Sequence, residues 1–170
     1  MTKKPRAIAY WLLPETAAHE MLAEKIRELA MRLEAPVFAP HVSVFVAPEN
    51  SRHPAEILPE LGAVTIKLTI HSIRVSEQFT KTLFVQFERS GPLQELGDKI
   101  WQASGAPDRY VIDPHLSLLY ASLTAAKKKA LVDEIKFPFR EVGFKSICAM
   151  RCARPKATVA EVEAWKLLTL

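Results

Sequence analysis

Glycine and cysteine are scarce in this chain of 170 residues. Only 5 residues are glycine, and neither of the glycine-rich phosphate loops, G-x-G-x-x-G or G-x-x-x-x-G-K-[ST], occurs. A chain of this size needs no disulfide scaffold, and no further ligands with the spacing of a metal site lie near the 2 cysteines, Cys148 and Cys152. We expect them to be reduced thiols of a cytoplasmic protein, and the sequence leaves their role open.

Long apolar runs are also missing. The N-terminal run Ala7–Leu13 stops at Pro14, far short of the roughly 18 apolar residues that a membrane span requires. The net charge of +4 and the pI of 9.1 are mildly basic, which suits an anionic ligand but is too weak alone to indicate nucleic-acid binding. We therefore expect no membrane association, and no obligatory protein partner is evident.

The composition is that of a globular protein, with 49% apolar and 25% charged residues. Hydrophobic periodicity predicts strand, helix, strand and strand pair, then helix, strand, helix and strand pair. The last pair includes "TVAEVEAWKLLTL" as a strand after the turn "ARPKA". These patterns predict an α+β fold over 1–170, a single domain of two intertwined, pseudo-symmetric lobes whose mainly antiparallel sheets line a central cleft, with helices outside.

A Pro-His-x-Ser motif occurs twice, in "APHVSVFVAP" and in "DPHLSLLYAS". Side chains two apart on a strand share a face, so His41 lies beside Ser43 and His115 beside Ser117. The intervening valine and leucine residues then face the core. If the two strands are neighbours, two histidines and two serines form one polar constellation.

This constellation suits the opening of a phosphate ester. Histidine has an ordinary pKa of about 6.5, so one imidazole can take a proton while another gives one. The serine hydroxyls can hold the phosphoryl oxygens as charge develops. No metal or other cofactor is required.

Three other interpretations are open. A single strand histidine is more often structural than functional, but duplicating the motif inside apolar strands would repeat the cost of burying polar groups. Zinc binding by His41 and His115 is disfavoured because we expect no carboxylate beside either histidine. A serine nucleophile would need only one histidine, and no G-x-S-x-G elbow is present.

The sequence resembles the 2H phosphoesterase superfamily, which is named for two H-x-[ST]-x motifs. The resemblance is closest to its cyclic phosphodiesterase branch, whose members open cyclic phosphates to monoesters. It covers nearly the whole chain through the stretches "YWLLPE", "FAPHVSVFVA", "PHLSLLYASLT" and "EAWKLL".

This resemblance implies that His41 and His115 are the acid–base pair and that Ser43 and Ser117 contact the phosphate. The family pattern makes the second histidine the base and the first the acid for ring opening. Many relatives have threonine at the first hydroxyl position, and Ser43 keeps that hydroxyl.

Three aromatic residues are expected around the substrate. Tyr120 matches a tyrosine that lines the site in this branch, although strand parity points it away from His115 unless the strand ends or twists near Leu119. Trp11 and Phe79 are candidates for stacking on a nucleobase or ribose. A core role is the alternative for all three.

We therefore expect metal-independent hydrolysis of a cyclic phosphodiester, of the nucleoside 2′,3′-cyclic phosphate or ADP-ribose 1″,2″-cyclic phosphate type. The expected partner is a small nucleotide cyclic phosphate or an RNA end. One alternative is an RNA-end or 2′,5′ RNA ligase-like enzyme, for which Lys67, Arg74 and Lys81 could supply a basic patch. The other is a nucleotide- or RNA-binding module without catalysis.

Overall fold

The secondary structure alternates strands with helices along the chain. The computed structural model describes residues 4–153 and 158–169. Its strands are β1 (Arg6–Pro14), β2 (Val42–Pro48), β3 (Ile66–Val75), β4 (Leu83–Phe87), β5 (His115–Leu119), β6 (Glu141–Ala153) and β7 (Lys166–Thr169). Its helices are α1 (Thr16–Leu33), α2 (Pro54–Ile57), α3 (Gly91–Ser104), α4 (Ala125–Glu134) and α5 (Val159–Glu163), with 3₁₀ turns at Leu58–Leu61 and Phe79–Lys81.

All strand pairs of the described chain are antiparallel, which confirms the α+β class. The strands join into one sheet in the order β1-β2-β5-β4-β3-β6-β7, and an additional β1–β6 pairing closes it. The long strand β6 pairs with β3 at its start and with β1 along the rest. It therefore links the two halves of the sheet at the side opposite the β2–β5 junction.

The β2–β5 junction brings the two Pro-His-x-Ser motifs together. The two strands pair at a single position, Val42 opposite Leu116. Continuing this antiparallel register by one residue in each direction places His41 across from Ser117 and Ser43 across from His115. The four polar residues consequently belong to the same face of the sheet.

The opposite face carries the main core. Val42, Val44, Leu116 and Leu118 are fully buried there. Helices α1 and α3 cover this face with a stripe of apolar residues at helical spacing, namely Leu22, Ile26, Leu29, Leu93, Leu96 and Ile100. Since the helices occupy this face, the histidine face remains available for a cleft.

The C-terminal segment differs from its prediction. The expected strand "TVAEVEAWKLLTL" is wrong, because Val159–Glu163 is helix α5 and only Lys166–Thr169 is strand. The Thr158 hydroxyl accepts a hydrogen bond from the Glu161 amide and so caps the helix at its first turn. Residues 154–157 of the predicted turn lie outside the described residues.

Both cysteines are free and buried. Cys148 packs with Trp11 in a small apolar cluster, and burial raises the pKa of its thiol to about 11. Cys152 donates to the carbonyl of Ala7 at 3.7 Å. Among the described residues, no helix combines the length and apolar character needed to cross a membrane.

Candidate active site

The two motifs line one cleft of about 300 Å³. His41, Ser43, His115, Ser117 and Tyr120 all contribute to its wall. The remaining lining residues are Val46, Gln78, Thr80, Lys81, Tyr110 and Asp113. The sheet thus brings together residues that lie far apart in sequence.

Each imidazole is held by a backbone carbonyl two residues earlier. His41 Nδ1 lies 2.7 Å from the carbonyl oxygen of Ala39, and His115 Nδ1 lies 2.7 Å from that of Asp113. A carbonyl oxygen only accepts, so Nδ1 carries the proton in both rings. The intervening proline restricts the backbone in both motifs, and Nε2 points away from the carbonyl. Each Nε2 is therefore the nitrogen oriented to exchange a proton with a ligand.

His41 lies among aromatic rings and is only 7% exposed. The Trp11 ring stacks on it, with centroids 3.6 Å apart and planes inclined by 11°. Trp165 and Phe38 approach edge-on at 6.1 and 6.3 Å. Trp11 is itself 2% exposed and contacts the imidazole rather than lining the cleft, so direct stacking of Trp11 on a ligand stays a prediction.

His115 lies beside an ionic network. The Asp113 carboxylate is 3.9 Å from its Nδ1, so the expectation of no neighbouring carboxylate is wrong for this histidine. Lys81 forms an ion pair with Asp113, and Gln86 Nε2 donates to Asp113 Oδ1 at 3.0 Å. The Lys81 ammonium also lies 4.6 Å above the centre of the Phe84 ring.

This environment favours a neutral His115. Burial lowers the pKa of His115, the carbonyl of Asp113 raises it, the Lys81 charge lowers it and the Asp113 charge raises it, with a net decrease. The pKa of Asp113 is raised by burial, but the hydrogen bonds from Lys81 and Gln86 outweigh this and hold it below its usual range. The network therefore pairs a charged carboxylate with a weakly basic imidazole.

Ser117 is tied to its surroundings more closely than Ser43. Its hydroxyl donates to the carbonyl of Thr80 at 2.8 Å and is hydrogen-bonded with Tyr120. Burial raises the pKa of Tyr120 well above its usual range. The Ser43 hydroxyl lines the cleft and makes no hydrogen bond with the described side chains or backbone.

Strand β5 ends at Leu119, as the predicted role of Tyr120 requires. The Tyr120 ring stacks on Phe38 with centroids 3.8 Å apart, and its edge meets Trp165 at 5.9 Å. Phe79 packs against Tyr120 at 6.2 Å without lining the cleft. A direct contact of Phe79 with a ligand therefore remains a prediction.

The segment 76–82 forms one wall of the cleft and is firmly held. Thr82 Oγ1 donates to the carbonyl of Ala121 at 2.7 Å and accepts from its amide at 3.0 Å. Ser76 Oγ donates to the carbonyl of Lys81 at 2.5 Å. These bonds fix the segment next to Tyr120 and position the carbonyl that binds Ser117.

Asp113, Gln86 and Trp165 were not predicted from sequence as site residues, and Lys81 was predicted only as part of a basic patch for an RNA end, not beside His115. Asp113 could have been found, since it precedes His115 by two residues and so shares its strand face. The other three depend on strand pairing or on the α5–β7 turn, which local sequence does not specify. Among the described residues, no group of three or more histidine, cysteine, aspartate or glutamate side chains is arranged to hold a metal ion.

No family model matches the chain. A curated cyclic phosphodiesterase of Arabidopsis thaliana is 25% identical over 129 residues, covering 74% of this chain and 71% of the relative. A solved phosphoesterase structure matches with a TM-score of 0.56 at 16% identity, covering 98% of this chain and 96% of the other. The structure of E. coli LigT complexed with 3′-AMP matches with a TM-score of 0.55 at 14% identity over the same shares of the two chains.

The solved structures show that the fold is LigT-like over almost the whole chain. The name of the curated relative agrees with the resemblance to the 2H phosphoesterase superfamily that the two Pro-His-x-Ser motifs indicate.

Proposed function

We propose that the protein is a cyclic phosphodiesterase that hydrolyses a nucleoside 2′,3′-cyclic phosphate, or a similar cyclic phosphodiester, to a phosphomonoester without a metal ion. The observation that carries this proposal is the shared cleft, in which two carbonyl-anchored imidazoles and two serine hydroxyls lie on one face of the sheet. The name of the curated relative and the 3′-AMP complex of LigT support a nucleotide phosphate as the ligand.

His115 is the general base in this proposal. Its lowered pKa keeps Nε2 unprotonated at neutral pH, so Nε2 can remove a proton from a water molecule. The water oxygen then attacks phosphorus in line with the ester bond that breaks. Lys81 assists because its positive charge disfavours the imidazolium before the reaction.

His41 is the general acid. The face of the Trp11 ring, which stacks on the imidazole, provides an electron-rich surface that stabilises a positively charged imidazolium. His41 Nε2 donates its proton to the leaving alkoxide as the bond between phosphorus and that oxygen breaks. The reaction ends with His115 protonated and His41 neutral, and proton exchange with solvent restores the starting state.

The serines hold the non-bridging phosphoryl oxygens. The Ser43 hydroxyl can donate directly, whereas Ser117 must exchange its bond to Thr80 for one to phosphate, with Tyr120 able to donate to its oxygen. Tyr120 lines the cleft beside this position. Trp11 stacks on His41 and so affects catalysis through that imidazole. Phe79 either packs against Tyr120 and holds its ring in place or contacts the nucleoside at the edge of the cleft.

A product-resolved assay tests this function. The wild-type protein should convert 2′,3′-cyclic nucleotides or ADP-ribose 1″,2″-cyclic phosphate to monoesters, and the position of the product phosphate identifies the broken bond. The rate should be the same with and without a chelator and should follow a bell-shaped curve with pH. Loss of activity on chelation, restored by a divalent metal, would overturn the mechanism; binding without turnover of any cyclic phosphate would favour the binding module.

A further inference from the structure

A second cavity adjoins the catalytic cleft on the His115 side. It measures about 480 Å³ and shares Asp113 with the cleft as a lining residue. Gln86, which donates to Asp113, also lines it. Asp113 and its partner Gln86 therefore lie where the two spaces meet.

The strand register places Arg74 of this cavity on the face of the catalytic residues. Arg74 lies opposite Phe84 in β3–β4, and Phe84 lies opposite Ser117 in β4–β5. Residues that pair across strands point to the same face of a sheet, so Arg74 and Ser117 share a row. Two strand spacings separate their backbones by roughly 10 Å.

The cavity contains cations that lack partners. Arg74 and Arg89 are both exposed and line it, and neither forms an ion pair or side-chain hydrogen bond with any residue in the described part of the chain. His71 adds a further hydrogen-bonding group at an irregularity of β3. Two carboxylates also line the cavity: Glu88, which has no ion-pair partner among the described residues, and Asp113, which is paired with Lys81. Arg74 and Arg89 are therefore its unpaired cations.

Two of the three cations in the basic patch predicted from sequence have acidic partners. Lys67 is 3.7 Å from Glu141, and Lys81 is paired with Asp113. Of the three predicted cations, only Arg74 has no partner among the residues described. The second unpaired cation of this cavity is Arg89, which was not predicted from sequence.

We propose that Arg74 and Arg89 form a subsite for a second phosphate of the substrate, attached through the 5′ oxygen of the nucleoside whose cyclic phosphate lies between His41 and His115. This phosphate is either a terminal 5′-phosphate or the phosphodiester to a preceding nucleotide. The subsite rests on the proposed function, and it makes the enzyme prefer nucleotides that carry a 5′ phosphate over those that end in a 5′ hydroxyl.

A comparison of three substrates tests the subsite. These are adenosine 2′,3′-cyclic phosphate, its 5′-phosphorylated form and a diadenosine with the same cyclic end. For Arg74→Ala and Arg89→Ala, we expect kcat/KM to fall about 10-fold or more on the two 5′-linked substrates and by a much smaller factor on the first, because a hydrogen bond to a charged group is lost. Arg74→Lys should lose less than Arg74→Ala, since it keeps the charge.

The matched control is Arg27→Ala. Arg27 is an exposed arginine on α1 that lines neither cavity, so its variant should match the wild type on all three substrates. Equal losses on all three substrates, or no loss on any, would overturn the subsite. A loss on the diadenosine alone would assign the subsite to the phosphodiester of an RNA end. A loss on the diadenosine and on the 5′-phosphorylated nucleotide would show that the subsite binds both a phosphodiester and a terminal 5′-phosphate.

A binding measurement separates failure of the subsite from failure of the proposed function. Calorimetry on the intact protein would compare adenosine 3′-phosphate with adenosine 3′,5′-bisphosphate. The bisphosphate should bind more tightly to the wild type, and Arg74→Ala should remove most of that advantage. If no cyclic phosphate is hydrolysed but this difference is found, the subsite stands and the catalytic proposal fails; if turnover is found without the difference, the subsite fails alone.

Discussion

The two halves of the cleft use the same backbone device in different chemical surroundings. In both halves a proline precedes the histidine, and Nδ1 donates to the carbonyl of the residue before that proline. In the first half this residue is Ala39 and the histidine is surrounded by aromatic rings. In the second half it is Asp113, whose carboxylate belongs to an ionic network with Lys81.

Under the proposed mechanism, this difference lets a repeated motif supply two opposite functions, a general acid and a general base. The carbonyl bond determines which nitrogen of each ring faces the cleft. The surrounding side chains then influence which ring carries a proton: the Lys81 cation opposes protonation of His115, while the Trp11 face supports a charged His41. We therefore expect variants of the two halves to affect opposite sides of the pH–rate profile.

The largest expected effect comes from removing either histidine. His41→Ala and His115→Ala should each lower kcat/KM by about 10²–10⁴-fold, because each removes one proton-transfer group. His115→Ala should also abolish the acidic limb of the pH profile, and His41→Ala the alkaline limb. Steady-state kinetics from pH 4 to pH 10 would measure both.

His19→Ala is the control for this comparison, since His19 lies on α1 and lines no part of the cleft. It should keep wild-type kinetics. Because His41 is buried, His41→Gln provides a second variant if the alanine variant unfolds at a lower temperature. Loss of the same limb in both histidine variants would contradict the division of function between the two halves.

The serines should separate catalysis from stability. Ser43→Ala and Ser117→Ala should each lower kcat on the order of 10²-fold, because each removes a donor to the phosphoryl oxygens. Ser117→Ala should in addition lower the free energy of unfolding by about 1 kcal/mol, since its hydroxyl bonds to Thr80 and Tyr120 are lost. Urea unfolding would measure this difference, and equal stability of the two variants would contradict it.

The sequence predicted the parts of this site that depend on local periodicity. The alternation in β2 and β5 placed His41 with Ser43 and His115 with Ser117 on one face, opposite the buried valine and leucine residues. It did not specify that β2 and β5 are neighbours, because strand order depends on contacts between distant segments. The resemblance to 2H phosphoesterases supplied that step.

The missed features have physical reasons. Gln86 and Lys81 reach Asp113 through the β4–β5 register and the turn before β4, and neither can be derived from a local pattern. The strand predicted over helix α5 is wrong although the sequence carries two helix signals. Val159 and Val162 are three residues apart, as on one face of a helix, and Thr158 and Glu161 have the spacing of a capping box, which indicates a helix start.

A smaller effect should follow from removing the positive charge near His115. Lys81→Met removes a charge that lowers the pKa of His115 and leaves the Asp113 charge, which raises it, without its partner. The pKa of His115 therefore rises, and because the base acts unprotonated, the acidic limb of kcat/KM should move to higher pH by about one unit or less. Lys129→Met, an exposed lysine of α4, is the control and should leave the limb unchanged. A shift of the acidic limb to lower pH would contradict His115 as the base.

The smallest expected effect comes from placing a carboxylate before Pro40 in the His41 half of the cleft, where the His115 half has Asp113. Ala39→Asp places an acidic side chain before Pro40, where Asp113 stands before Pro114, so the backbone there already accepts this residue type in the matched motif. The new charge should stabilise protonated His41, and because the acid acts protonated, the alkaline limb should move to higher pH. The shift should be less than about one unit, because Ala39 is exposed and solvent screens the charge. Ala39→Asn has nearly the same shape without the charge and should leave the limb unchanged; a shift of the acidic limb in Ala39→Asp would instead assign His41 as the base and reverse the two halves.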